Sequence, residues 1–190
     1  MNVKTNRFFL SVFILVLSTL VYSFKTINTT PTSWEVTSSS VLFKIKNAKL
    51  NVTGNFTDVN TKITFDPAVL NKSHFDGVIN VISIKTGIDL RDKHLKKQEF
   101  FDAAKHPQIL FKSTSIKQES EGNYTAVCQL TIKGKTKEVL FPFKFSKINN
   151  QAAFTGTLKL NRLDFGVGLP SVVMANNVDV SIILNTTKAK

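Results

Sequence analysis

A single cysteine, Cys128, stands in this chain of 190 residues, so neither an internal disulfide nor a thiolate-rich zinc site can form. Polar aromatics are nearly missing too, with 2 Tyr and 1 Trp against 16 Phe. Large rings without polar handles suit a greasy interior better than a polar catalytic cleft. Acidic residues are scarce: 13 Asp and Glu face 25 Lys and Arg, for a formal charge of +12. Glycine and proline, at 8 and 5, are too few for a collagen-like or low-complexity chain, and 42% hydrophobic with 20% charged residues fits one globular domain. His74, His94 and His106 show no His-Glu-x-x-His spacing, and Gly-x-Ser-x-Gly and phosphate-loop patterns are missing. No metal, cofactor or acid-base pair is therefore expected. The one long apolar run, residues 8–22, falls short of the roughly 20 residues a membrane span needs.

That run has the form of a targeting segment. Lys4 and Arg7 precede it and Val21-Tyr22-Ser23 closes it, the pattern of a secretory signal. We read residues 1–23 as a signal peptide cleaved after Ser23, with retention as an anchor the alternative, and the exported chain as periplasmic or secreted. Cleavage removes Lys4 and Arg7 and leaves a charge of +10. Surface lysines of this kind keep a Phe-rich protein soluble and discourage strand-edge pairing. They also suit an anionic membrane surface. No basic run interleaved with aromatics speaks for nucleic acid.

Beyond a Thr- and Asn-rich lead-in at residues 24–33, the dominant signal is alternation. Val41, Phe43 and Ile45 alternate with polar or outward residues, as do Ile109 and Phe111, then Ala126, Cys128, Leu130 and Ile132. The pattern returns in Val139, Phe141, Phe143 and Phe145, in Phe154, Leu158 and Leu160, and in Val178, Val180, Ile182 and Leu184. Period two means strands with one buried face. Glu121-Gly122-Asn123, Lys133-Gly134-Lys135 and Asn149-Asn150 tolerate positive φ between successive runs, so these strands should pair as antiparallel hairpins. Pro142 has no N–H for a ladder and predicts an edge, a bulge or a poorly paired stretch. About eight short strands make an all-β chain, a closed barrel or a sandwich.

Residues 86–107 break the alternation. Asp89 is placed to cap a short helix with Leu90, His94 and Phe101 broadly on one face, and Asp102 to cap a second turn before Pro107. The run Arg91-Asp92-x-His94-Leu95, then Phe100-Phe101-Asp102, Pro107 and Ile109-x-Phe111-Lys112-Ser113, resembles the YceI-like family of exported polyisoprenoid-binding proteins. Trp34-x-Val36, Ser40-x-x-x-Phe43-x-Ile45, Val52-x-Gly54-x-Phe56, Phe65-Asp66-Pro67 and Asn161-Arg162-x-Asp164-Phe165-Gly166-Val167 follow in that family's order. The resemblance implies a lipocalin-like antiparallel β-barrel over residues 34–187, with about eight strands and one or two short helices. It further implies an apolar tunnel for a long isoprenoid chain, such as a polyprenyl phosphate or an isoprenoid quinone, and binding in place of catalysis.

The residues themselves point the same way. The inward registers present Phe43, Ile45, Phe111, Leu130, Phe141, Phe143, Phe154, Leu158, Val180 and Ile182, which would line a tunnel or, equally, fill a dry core. Arg91, His94 and Arg162 are candidate headgroup contacts, since a guanidinium grips phosphate or quinone oxygens and an imidazole adds a hydrogen bond. Each also has a plainer structural role open to it. Arg91 and Asp92 could pair to fasten the helix, His94 could pack half-buried, and Arg162 could pair with Asp164 at a strand end. Two other functions stay in view: a small-molecule enzyme using His94, with Cys128 as a conceivable nucleophile although it lies on an apolar register, and a ligand-free secreted stress-response or interaction module that binds through a basic face.

Overall fold

The computed structural model describes residues 30–190. The expected signal segment, its cleavage site and most of the lead-in lie outside the described residues. Ten strands follow: β1 (Ser33–Asn47), β2 (Leu50–Phe56), β3 (Val59–Thr64), β4 (His74–Asn80), β5 (Ile84–Lys85), β6 (Gln108–Ser120), β7 (Asn123–Ile132), β8 (Lys135–Ile148), β9 (Gln151–Asn161) and β10 (Met174–Lys188). One α-helix, α1 (Asp89–Leu95), sits between β5 and β6.

The wall closes because β1 has partners on both sides. One edge pairs with β10 along its length, and the other pairs with β2 and then β3. Val41 opposite Phe56 and Trp34 opposite Ile63 lie in a single register, so β2 and β3 act as one strand interrupted at Thr57 and Asp58. Neighbours then follow in order from β3 through β4, β6, β7, β8 and β9 to β10. The result is an eight-stranded antiparallel barrel, lipocalin-like in layout, with β5 as a short extra pairing on β2. Closure removes the exposed edges that would otherwise invite aggregation.

The turns form where the sequence places them. Gly122, Lys133, Gly134 and Asn149 all take positive φ in two-residue connections. Pro142 marks the place where the β8–β9 ladder ends: pairing runs from Ile148 to Phe143 and stops. Gly156 lies opposite Phe143, and a Cβ there would stand 2.5 Å from the Phe141 ring, so only glycine lets that ring cross β9. Two details differ from expectation. Thr32 and Ser33 of the lead-in are already tied down, since Thr32 accepts from Phe65 N–H at 2.8 Å and Ser33 opens β1. Asp89 does not cap α1; Ile88 holds the cap position without a side-chain bond, and Leu90 is exposed.

Along its axis the interior divides in two. One end is solid, built around Phe65, which is fully buried among Phe75, Tyr124, Phe143, Phe145 and Phe154 at centroid distances of 4.8 to 5.9 Å. Trp34 closes this plug and donates its indole N–H to the Phe65 carbonyl at 2.9 Å. The ring pairs are mostly edge-on or tilted, the arrangements that aromatic quadrupoles favour. The other end, under α1, is hollow.

Candidate functional site

The hollow half is an apolar cavity of about 510 Å3, within the range of roughly 300–1,000 Å3 typical of small-molecule sites. Nine of the ten predicted lining residues face it: Phe43, Ile45, Phe111, Leu130, Phe141, Phe154, Leu158, Val180 and Ile182. Phe143 does not. It belongs to the solid plug, where it stacks on Phe141 and Tyr124 at 5.8 and 5.5 Å. Phe141 and Phe143 share one face of β8, but Phe141 lies at the floor of the cavity and Phe143 one step below it.

Sequence reading did not place Phe56, Phe100 and Met174, which also line the cavity. Phe100 follows α1 and Met174 opens β10, both beyond any run of alternation. The only signal for Phe100 was the Phe100-Phe101 pair itself.

Arg91, His94 and Arg162 all reach the cavity, and each is held differently. Arg91 donates from Nε to the Thr86 hydroxyl at 2.8 Å and from Nη2 to the Thr86 carbonyl at 2.7 Å. The buried Asp92 carboxylate accepts from the Thr86 amide at 2.9 Å and from the Thr86 hydroxyl. Thr86 therefore stands between the two charges, and the helix is fastened through a threonine and not by the direct Arg91–Asp92 pair that sequence suggested. His94 keeps half its side chain accessible, as half-buried packing predicts. Its Nδ1 lies 3.5 Å from Glu99, and its ring meets Phe100 edge-on at 4.9 Å.

Arg162 is 5% exposed and forms no ion pair with Asp164. Its partners are neutral oxygens. Nε donates to the Ala175 carbonyl at 2.9 Å, Nη1 to the Val167 carbonyl at 2.9 Å, and Nη2 to the Met174 carbonyl and the Asn176 side-chain oxygen at 3.4 and 3.3 Å. Four of its five N–H groups are thus engaged. Burial pulls its pKa below the ordinary arginine value, yet guanidinium stays charged under any physiological condition. The result is a buried cation on the cavity wall with no carboxylate against it among the described residues.

Cys128 is fully buried in the plug, and desolvation pushes its thiol up to about 12. At neutral pH it is neither a thiolate nor near His94, so that nucleophile pair is not assembled.

Barrel, plug and cavity define the class: a lipocalin-like barrel with an apolar interior cavity. The YceI-like domain model matches residues 33–186, and the chain belongs to the YceI-like family. A UPF0312 protein of Pseudomonas fluorescens is 33% identical over 150 residues, covering 73% of this chain and 76% of its own length. Among solved structures, BcnA of Burkholderia cenocepacia superposes with a TM-score of 0.76 at 27% identity, over 78% of this chain and 96% of that one. A polyisoprenoid-binding domain from Saccharophagus degradans, implicated in plant cell wall breakdown, shares the fold with a TM-score of 0.64 at 14% identity, over 85% of this chain and all of that one.

Proposed function

We propose that this protein is an exported carrier that sequesters one long isoprenoid-like lipid and works by burial and release, without chemistry. The observation that carries this reading is an apolar cavity whose wall holds one buried, unpaired guanidinium, Arg162. Apolar burial at about 25 cal/mol per Å2 supplies affinity without directional contacts. The cation supplies direction. A phosphate oxygen gains most beside a charge that no carboxylate neutralises, and a quinone carbonyl can accept the one N–H that lacks an acceptor among the described residues. Arg91 and His94, at the same end, are placed to contact the remaining headgroup oxygens. The shared barrel of the Saccharophagus degradans polyisoprenoid-binding domain supports the same class of ligand as a likeness of fold. The apolar segment at residues 8–22 supports export.

The test is to express the full chain in a bacterial host, recover the exported protein without detergent, and compare native with denatured mass spectra. A stoichiometric isoprenoid in the native spectrum, polyprenyl phosphate or quinone, is the expected result. An empty protein that also refuses both ligands when they are added overturns the reading in favour of a ligand-free interaction module. His94→Ala separates the carrier from an enzyme: a carrier keeps most of its lipid load, whereas turnover resting on a general base at His94 would fall about 100-fold or more.

A further inference from the structure

Three segments meet around the cavity mouth. The β1–β2 turn is tied to the segment before β10 by the Ala48 amide on the Val173 carbonyl, and the Gly168 amide on the Glu99 carbonyl ties that segment to the residues after α1. Asn47, Ser171 and Val173 reach from this ring into the cavity. The ring is apolar on its outside. Among the described residues, five large aliphatic side chains are at least 73% exposed: Leu50, Leu90, Ile148, Leu169 and Val172. All but Ile148 stand on these segments or on α1, and Ile148 lies at the plugged end beside the β8–β9 turn. Between them rise the exposed Lys46, Lys49, Lys93 and Lys97. Of the exposed acids close by, Glu99 is engaged by His94, Asp89 stands at the start of α1, and Asp164 lies in the turn between β9 and the segment that bears Leu169. The plugged end carries charges of both signs, Glu119 paired with Lys117, Glu121, and the exposed Lys144 and Lys147, so what sets the rim apart is its protruding aliphatic groups.

Protruding aliphatic groups within a fringe of lysines match the chemistry of an anionic bilayer surface, with acyl chains beneath phosphate headgroups. We propose that this rim docks on an anionic phospholipid bilayer and sets the cavity mouth against the leaflet. The proposal rests on the carrier reading for its purpose but not for its geometry. A charged protein partner would engage the lysines without requiring Leu169 and Val172 to leave water; a bilayer requires both.

The experiment takes residues 24–190, which contain the whole closed barrel, and measures co-sedimentation with vesicles of phosphatidylcholine alone or mixed with phosphatidylglycerol. Binding is expected to the mixed vesicles only and to weaken with salt. Lys93→Gln with Lys97→Gln should lower the partition coefficient roughly 25-fold, about fivefold for each charge. Leu169→Ser with Val172→Ser should lower it roughly tenfold or more. Ile148→Ser at the opposite end should leave it unchanged. All five positions are exposed, and a circular dichroism melt verifies that each variant folds. Lipid load is read on the same samples by native mass spectrometry. Wild-type protein that carries lipid yet binds no mixed vesicle overturns the docking and leaves the carrier standing. Rim-dependent vesicle binding by a protein that carries no lipid upholds the docking and overturns the carrier. Equal binding by the Leu169/Val172 and Ile148 variants refutes the docking outright.

Discussion

Val180→Trp separates a hollow barrel from a filled one. Val180 lies midway along the cavity wall, opposite Phe43 of β1 and Leu158 of β9, and faces the cavity. In a hollow interior an indole at this position covers about 100 Å2 of additional apolar surface, worth roughly 2.5 kcal/mol. Fixing its rotamers offsets about 1 kcal/mol of that. One kcal/mol moves the melting midpoint by about 2–4 °C in a domain of this size. The lipid-free variant should therefore melt at the wild-type temperature or a few degrees above it. In a filled interior the same side chain would overpack at about 1–3 kcal/mol and lower the midpoint by roughly 2–12 °C. The indole also occupies about 90 Å3 at interior packing density, a substantial share of the 510 Å3 cavity, so lipid load should fall. The assay pairs a circular dichroism melt of delipidated protein with native mass spectrometry of the protein as purified. A midpoint lowered by more than about 4 °C together with an unchanged lipid load would refute the reasoning.

Phe143→Ala acts on the plug, where Phe143 meets Phe65, Phe75, Tyr124, Phe141 and Phe154; the expected loss is about 3–5 kcal/mol, read as a fall of roughly 6–20 °C in the melting midpoint. Gly156→Val puts a side chain into the Phe141 ring and the Pro142 carbonyl, at 2.5 and 2.6 Å from its Cβ, and should cost at least about 1–3 kcal/mol in a chemical denaturation series. Cys128 gives a pH signature. Its thiol is raised from 9.0 to about 12 by burial, so the folded state favours the protonated form, and that contribution is complete below about pH 9 and lost as pH rises towards 12. The melting temperature of wild type relative to Cys128→Ala should fall across that window, and a thiol reagent at pH 8 should label Cys128 only after denaturant is added.

Much of the barrel was legible because its rule is local. Period-two alternation needs only the side chains of one strand, and residues such as Gly122, Lys133, Gly134 and Asn149 announce their turns by tolerating positive φ. Pro142 likewise announced the end of the β8–β9 ladder by lacking an N–H. What alternation cannot supply is depth along the barrel axis. Phe141 and Phe143 are equivalent by register, and only the cluster around Phe65, assembled from β4, β7, β8, β9 and the turn after β3, decides which one meets a void. Charged neighbours misled for a related reason. Asp92 beside Arg91 and Asp164 near Arg162 suggested ion pairs by proximity in sequence, whereas Thr86 separates the first two and main-chain carbonyls take the place of Asp164. Both replacements come from positions that no spacing rule connects to the arginine.

The division into plug and cavity also explains how a cavity of this size is compatible with a stable fold. An empty apolar space forgoes the dispersion contacts that a packed interior supplies, so a barrel hollow throughout would have little beyond its hydrogen-bonded wall to hold it closed. Here the rings around Phe65 pin β3, β4, β7, β8 and β9 at one end, and closure at that end fixes the strand register at the other. The cavity half is then free to be under-packed. Arg162 depends on the same rigidity. Its carbonyl partners on Val167, Met174 and Ala175 lie on either side of the rim segment that bears Leu169 and Val172, so one buried cation fixes both the cavity wall and the shape of the mouth. A lysine could not do this, because a point charge cannot span carbonyls from two directions as a planar fork does. The positive charge is thus retained as the by-product of a structural need for several rigid donors, and it becomes available to any ligand that brings an anionic oxygen into the cavity.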